Sequence, residues 1–131
     1  MHDFRMAKDL GLICSMHQGG GPARTPDGWQ RLEAAGLLGD HINIVHGHAL
    51  DDDQLQRFCD LGMSFSAAAE SEMSQGHGHP LTGRLRKLGR APSLGVDLES
   101  VMSGDMISQA RIALGIQRSL DNVAYRAEYN T

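Results

Sequence analysis

Two rhythms of apolar and polar positions alternate along this chain: short apolar runs that suit strands, and spaced apolar positions that suit helices. The clearest run is Ile42-Asn43-Ile44-Val45, followed at once by His46-Gly47-His48, then Ala49-Leu50 and the acids Asp51-Asp52-Asp53. A short, β-branched run of this kind predicts a buried strand. The acids, ahead of Leu55, Phe58 and Leu61, predict the first turn of an amphipathic helix, where they meet the positive end of its dipole. The histidines fall where strand gives way to loop, which in parallel α/β architectures is where chemistry is housed.

The same rhythm recurs on either side. Residues 3–10 predict a helix with Phe4, Ala7 and Leu10 on one face and Gly11 as its stop. Leu12 to Met16 predicts a first strand ending at His17, and glycine and proline keep 18–26 in a loop. Thr25 or Asp27 can cap the next helix, with Pro26 in its first turn and Trp29, Leu32, Ala35 and Leu38 on one face. Met63 to Ala67 alternates as a third strand, followed by Glu70, Glu72 and a loop over 71–80 with His77 and His79. Leu81 to Leu88 predicts a basic helix closed by Gly89, and Ala91 to Val96 a fourth strand ending at Asp97. Asp105 is placed to cap the longest helix, with Met106, Ile107, Ala110, Leu114 and Ile116 on its apolar face. Residues 121–131 are more polar and are expected to be an extension or a frayed tail.

Strict alternation means parallel strands joined by right-handed crossovers. The expected fold class is therefore α/β, a single domain over 1–131 built from four parallel βα units. Four such units suit half of an eight-stranded β/α barrel or a small open sheet.

Composition narrows the function. The 131 residues are 40% apolar and 21% charged, which suits a globular protein, and 12 basic against 16 acidic residues give a net charge of −4. With no basic stripe beyond Arg84-Leu85-Arg86-Lys87, nucleic acid is not an expected partner. No apolar run reaches the length of a membrane span, and Met1-His2-Asp3-Phe4-Arg5 does not read as a signal peptide. Cys14 and Cys59 are too few for a disulfide framework, so a cytoplasmic setting is expected.

Three strands end in a residue that can bind a metal: His17, His46 and Asp97. Two imidazoles and a carboxylate suit a divalent metal, zinc first, then iron or manganese, and leave a position for water. Singly, each is as well explained by structural hydrogen bonding. His41 and His48 read as loop polar groups, and His77 and His79 as an exposed pair. Glu70 and Glu72 are either an acid or base for chemistry or surface carboxylates; Glu70 and His77 are the positions expected to meet a small-molecule substrate. Cys14 reads as core. The run Gly19-Gly20-Gly21 could cradle phosphate, but it lacks the Walker lysine and the spaced dinucleotide pattern.

These residues also carry a resemblance. Ile44 through Asp52 resembles the sixth-strand motif of the amidohydrolase superfamily, in the branch of cytosine deaminase, S-adenosylhomocysteine deaminase and the triazine chlorohydrolases. Ser15-Met16-His17 is similar to that family's fifth-strand histidine. Ala68-Ala69-Glu70-Ser71-Glu72-Met73 is similar to the stretch after strand seven, which usually reads Cys-Pro-Glu-Ser-Asn. Leu94 through Ser100 resembles the eighth-strand Gly-Thr-Asp-Ser, and Gly104 through Arg118 the helix after it. The likeness spans roughly residues 5–120, in order.

The resemblance implies strands 5–8 of a (β/α)8 barrel, and a metal-dependent hydrolase of C–N or C–Cl bonds in small, often heterocyclic compounds. It implies that His17 ligates the metal, and that His46 ligates it or polarises the substrate. Asp97 would bind the metal and take a proton from water. The family's first-strand His-x-His pair has no counterpart, and Gly20 stands where a proton-shuttling glutamate is usual. Val96 and Leu98 replace small polar neighbours of the aspartate, and Ala69 replaces the proline. A remnant that keeps the fold without the reaction, and a small α/β binding module, are the alternatives. Four strands cut from a barrel would expose Leu12, Ile44, Phe65 and Leu94 on the inner face, so a homo-oligomer is expected.

Overall fold

Hydrogen bonds and packing fix the ends of the elements that position the strand termini. The computed structural model describes residues 1–19 and 25–129. Helix α1 (His2–Leu10) ends at Gly11, whose φ of 64° is left-handed, and the Leu12 N–H reaches back to the Ala7 carbonyl at 2.8 Å. That wrap-around closes the helix and turns the chain into strand β1 (Cys14–Gln18). Helix α2 (Gly28–Ala34) and strand β2 (Ile42–His46) follow. Helix α3 (Asp52–Asp60) opens on a reciprocal cap: Asp51 accepts from the Gln54 N–H at 2.7 Å, and Gln54 accepts from the Asp51 N–H at 3.2 Å. Strand β3 (Ser64–Ala67), helix α4 (Ala69–Ser74), helix α5 (Thr82–Lys87), strand β4 (Ser93–Leu94) and helix α6 (Met106–Tyr129) complete the chain.

The four strands form one parallel sheet in the order β1-β2-β3-β4. Consecutive strands are neighbours, as in a barrel that has been opened. One face is apolar and covered. Ile42, Ile44 and Phe65 pack with Leu55, Phe58 and Cys59 of α3 and with Leu85 of α5, while Phe4 and Trp29 close over the cluster from α1 and α2. Each such buried side chain contributes about 1.5–3 kcal/mol relative to exposure.

The opposite face is polar. Asn43 donates from Nδ2 to Ser15 Oγ at 2.9 Å and to Ser66 Oγ at 3.2 Å, and its Oδ1 accepts from Ser64 Oγ at 3.1 Å. Ser66 and Ser93 share a hydroxyl hydrogen bond at 2.8 Å. A ladder of short side chains thus crosses all four strands.

The expected half-barrel arrangement is what the chain adopts, but several expectations are corrected. Ile44 and Phe65 are 0% and 4% exposed, buried under the helices and not on the open face. The pleat phase decides this: in β2 it is Asn43 and Val45 that turn the other way. Leu94 is half-buried, and Leu12, 49% exposed, precedes β1. The apolar inner face from which self-association was inferred is therefore replaced by the polar ladder. His17 lies inside β1, and β4 is only two residues long. Residues 71–74, expected to begin a loop over 71–80, belong to helix α4, with no glycine or proline breaker before Gly76. Asp27 precedes α2 without a side-chain cap. Helix α6 is capped by Asp105, which accepts from the Ser108 N–H at 2.7 Å, and continues to Tyr129 through the expected tail. Among the described residues, no helix is long and apolar enough to cross a membrane.

Candidate metal centre

Parallel strands deliver their C-terminal ends to one rim, and His17, His46 and Asp97 arrive there from β1, β2 and the turn after β4. Two of the three sit on unusual backbone. Among the described residues, His46 (φ 68°) and Asp97 (φ 73°) are the two non-glycine residues with positive φ. Left-handed backbone at such a residue costs about 1–3 kcal/mol and persists only where the surroundings enforce it. In β2, His46 shares the phase of Ile42 and Ile44. The left-handed turn breaks that alternation, and its ring centroid lies 5.4 Å from that of His17. Gly47, at φ 67°, completes the reversal; a Cβ there would meet Leu81 Cδ1 at 2.8 Å, so a larger residue would have to displace that methyl as well as adopt left-handed backbone.

One ligand atom from each of His17, His46 and Asp97 lies within 4.8 Å of the others, with His46 buried and the other two exposed. A tetrahedral ion bonded at about 2.0–2.2 Å keeps its ligands roughly 3.3–3.6 Å apart. Side-chain movements of about an ångström would close this group on a divalent cation, and the donor set of two imidazoles and a carboxylate fits zinc.

Helix α4 supports two of these groups. Ser71 donates its hydroxyl to Asp97 Oδ2 and accepts from Gln75 Nε2 at 2.7 Å. Glu72, fully buried, lies with Oε1 3.0 Å from His46 Nδ1, and the same oxygen accepts from the Ala68 N–H at 3.0 Å. Around them stand two more imidazoles. His48 and His77 stack with centroids 5.6 Å apart, each within 6.4 Å of His46. Burial pushes the His48 imidazole below its usual range, against an opposing pull from Glu72.

The residues singled out from sequence fare differently. His17, His46 and Asp97 come together, and His77 joins the cluster. Glu70 does not: it accepts from the Ser103 N–H at 2.8 Å, from Ser103 Oγ at 3.1 Å and from Gln109 Nε2 at 2.7 Å, tying α4 to the start of α6. Its carboxylate oxygens are engaged by Ser103 and Gln109 and not by the imidazole cluster. His48, read as a loop group, packs beside His46. Glu72, which the sequence leaves between an acid or base for chemistry and a surface carboxylate, is fully buried beside His46. Cys14 is half-buried, with its thiol raised mainly by burial. Gly20 and Gly21, part of the run weighed as a phosphate cradle, lie outside the described residues.

No family model matches the sequence, and no curated protein matches it. Solved structures do share its fold. An adenosine deaminase from Xanthomonas campestris with bound zinc matches at a TM-score of 0.75 and 20% identity, over 90% of this chain and 29% of that one. A triazine hydrolase from Arthrobacter aurescens matches at 0.55 and 19% identity, over 70% and 22%. An atrazine chlorohydrolase from Arthrobacter aurescens complexed with zinc matches at 0.53 and 17% identity, over 70% and 22%. This chain spans less than a third of the adenosine deaminase and of the triazine hydrolase.

Proposed function

We propose that this chain supplies the metal-binding rim of an amidohydrolase-type hydrolase that cleaves a C–N bond in a small, heterocyclic compound. The observation that carries the reading is the convergence of His17, His46 and Asp97 within 4.8 Å, two of them on left-handed backbone. The fold shared with zinc-containing hydrolases supports it.

A divalent cation held by the three residues would lower the pKa of a bound water toward neutrality. Asp97 then accepts the proton that water loses on attacking carbon and passes it to the departing nitrogen, so that the C–N bond is replaced by C–O. Ser71, donating to Asp97, keeps that carboxylate aimed at the rim. His46 ligates the cation or hydrogen-bonds the developing negative charge. His77, at the edge of His46, faces the same space and is the residue proposed to meet substrate.

A second reading, in which the rim binds metal without turnover, rests on Gly20 standing where the resembling family usually has a proton-shuttling glutamate. Metal analysis of purified protein, with His17→Ala and Asp97→Ala, tests the shared premise. About one equivalent of zinc in the parent and its loss in both variants is the expected result. Unchanged metal content in both would remove the assignment.

A further inference from the structure

We infer that Glu72 is a positioning residue for His46, holding its imidazole as the Nδ1–H tautomer so that the Nε2 lone pair serves a cation shared with His17 and Asp97. The inference rests on the metal-binding reading above and adds to it a residue that never touches the ion.

Geometry comes first. Glu72 Oε1 lies 3.0 Å from His46 Nδ1, and both side chains are buried. The same oxygen accepts the Ala68 N–H at 3.0 Å, while the Glu72 N–H reaches the Ala68 carbonyl at 2.9 Å. The first turn of α4 therefore grips Glu72 through both backbone and side chain, and its carboxylate has little freedom to move. A neutral imidazole carries one N–H and one lone pair. Glu72 Oε1 already serves as an acceptor for the Ala68 N–H, so the ring nitrogen facing it is placed to donate. The proton then sits on Nδ1, and Nε2 is left as the ligand atom. Backbone strain acts in the same direction, because the φ of 68° at His46 fixes where the ring begins and Glu72 fixes how it is turned.

A second observation separates this carboxylate from an ordinary structural one. Glu72 Oε2 is buried and has no hydrogen-bond partner among the described residues. A half-satisfied buried carboxylate costs stability. A stability role alone does not explain it, whereas orienting a metal-binding histidine does. Carboxylates hydrogen-bonded to ligating histidines typically change metal affinity by about 10–100-fold when removed.

The test reads the tautomer and the metal separately. Long-range 15N–1H correlation spectra of the metal-free protein report which His46 nitrogen bears the proton, and calorimetry reports zinc affinity. The parent should show Nδ1–H at His46. Glu72→Leu should shift that population toward Nε2–H and weaken zinc binding by about 10–100-fold. Glu72→Gln, which keeps the shape and either hydrogen-bond polarity, should fall between them and serves if the leucine variant does not fold. An Nε2–H tautomer in the parent overturns the inference, as does undiminished zinc affinity in a folded Glu72→Leu or Glu72→Gln variant. A parent that shows Nδ1–H yet binds no zinc would instead overturn the metal reading, and Glu72 would be left orienting a ring without a cation.

Discussion

The two faces of the sheet do opposite work. The covered face holds Ile42, Ile44 and Phe65 in an apolar cluster, and the open face carries Ser15, Asn43, Ser64, Ser66 and Ser93 in a hydrogen-bonded ladder. A single residue step separates them along each strand. Stability is therefore concentrated on one side and the chemistry-bearing rim is joined to the other, where His17 follows Ser15 in phase. A half-barrel whose open face is already polar and internally bonded does not present a bare core to water. What it does present is two strand edges, β1 and β4.

The sharpest way to break this contrast is to cut one residue on each face of β2. Ile44→Ala removes a fully buried side chain and should cost about 2–5 kcal/mol in denaturant unfolding. Its neighbour Asn43→Ala removes ladder hydrogen bonds on the half-exposed face and should cost about 0.5–1.5 kcal/mol. Equal losses would mean that the open face is as much a core as the covered one.

The smallest effect is expected far from both faces, at the start of α6. Hydrogen bonds from Ser108 hold the Asp105 carboxyl below its ordinary range. Because its folded pKa is depressed, its stabilisation is present above the unfolded value of about 3.9 and disappears as pH falls through the lower folded value. Melting temperatures of Asp105→Ala and the parent should differ modestly at pH 7 and converge in strong acid. A gap that persists unchanged at low pH would show that the cap does not act through its charge.

How much of this was legible in the sequence follows the same division. Strand and helix order was readable, because apolar runs punctuated by glycine leave few alternatives. The rim residues His17, His46 and Asp97 were readable from their common place at strand ends and from the family resemblance. The facing of Ile44 and Phe65 was not. Period-2 alternation states that two faces differ without stating which one the helices cover, and the apolar face was assigned to the barrel interior. Glu72 was hidden for another reason. Its burial comes with the folding of α4 against the strand ends, and that packing is not written in the local composition.

The most direct test of the central claim is zinc K-edge X-ray absorption on the zinc-loaded chain, compared with its His17→Ala variant. Two imidazoles and an oxygen shell at about 2.0–2.1 Å are predicted for the parent, with one imidazole lost in the variant. An all-oxygen shell, or a spectrum that His17→Ala leaves unchanged, would contradict a cation held between His17, His46 and Asp97.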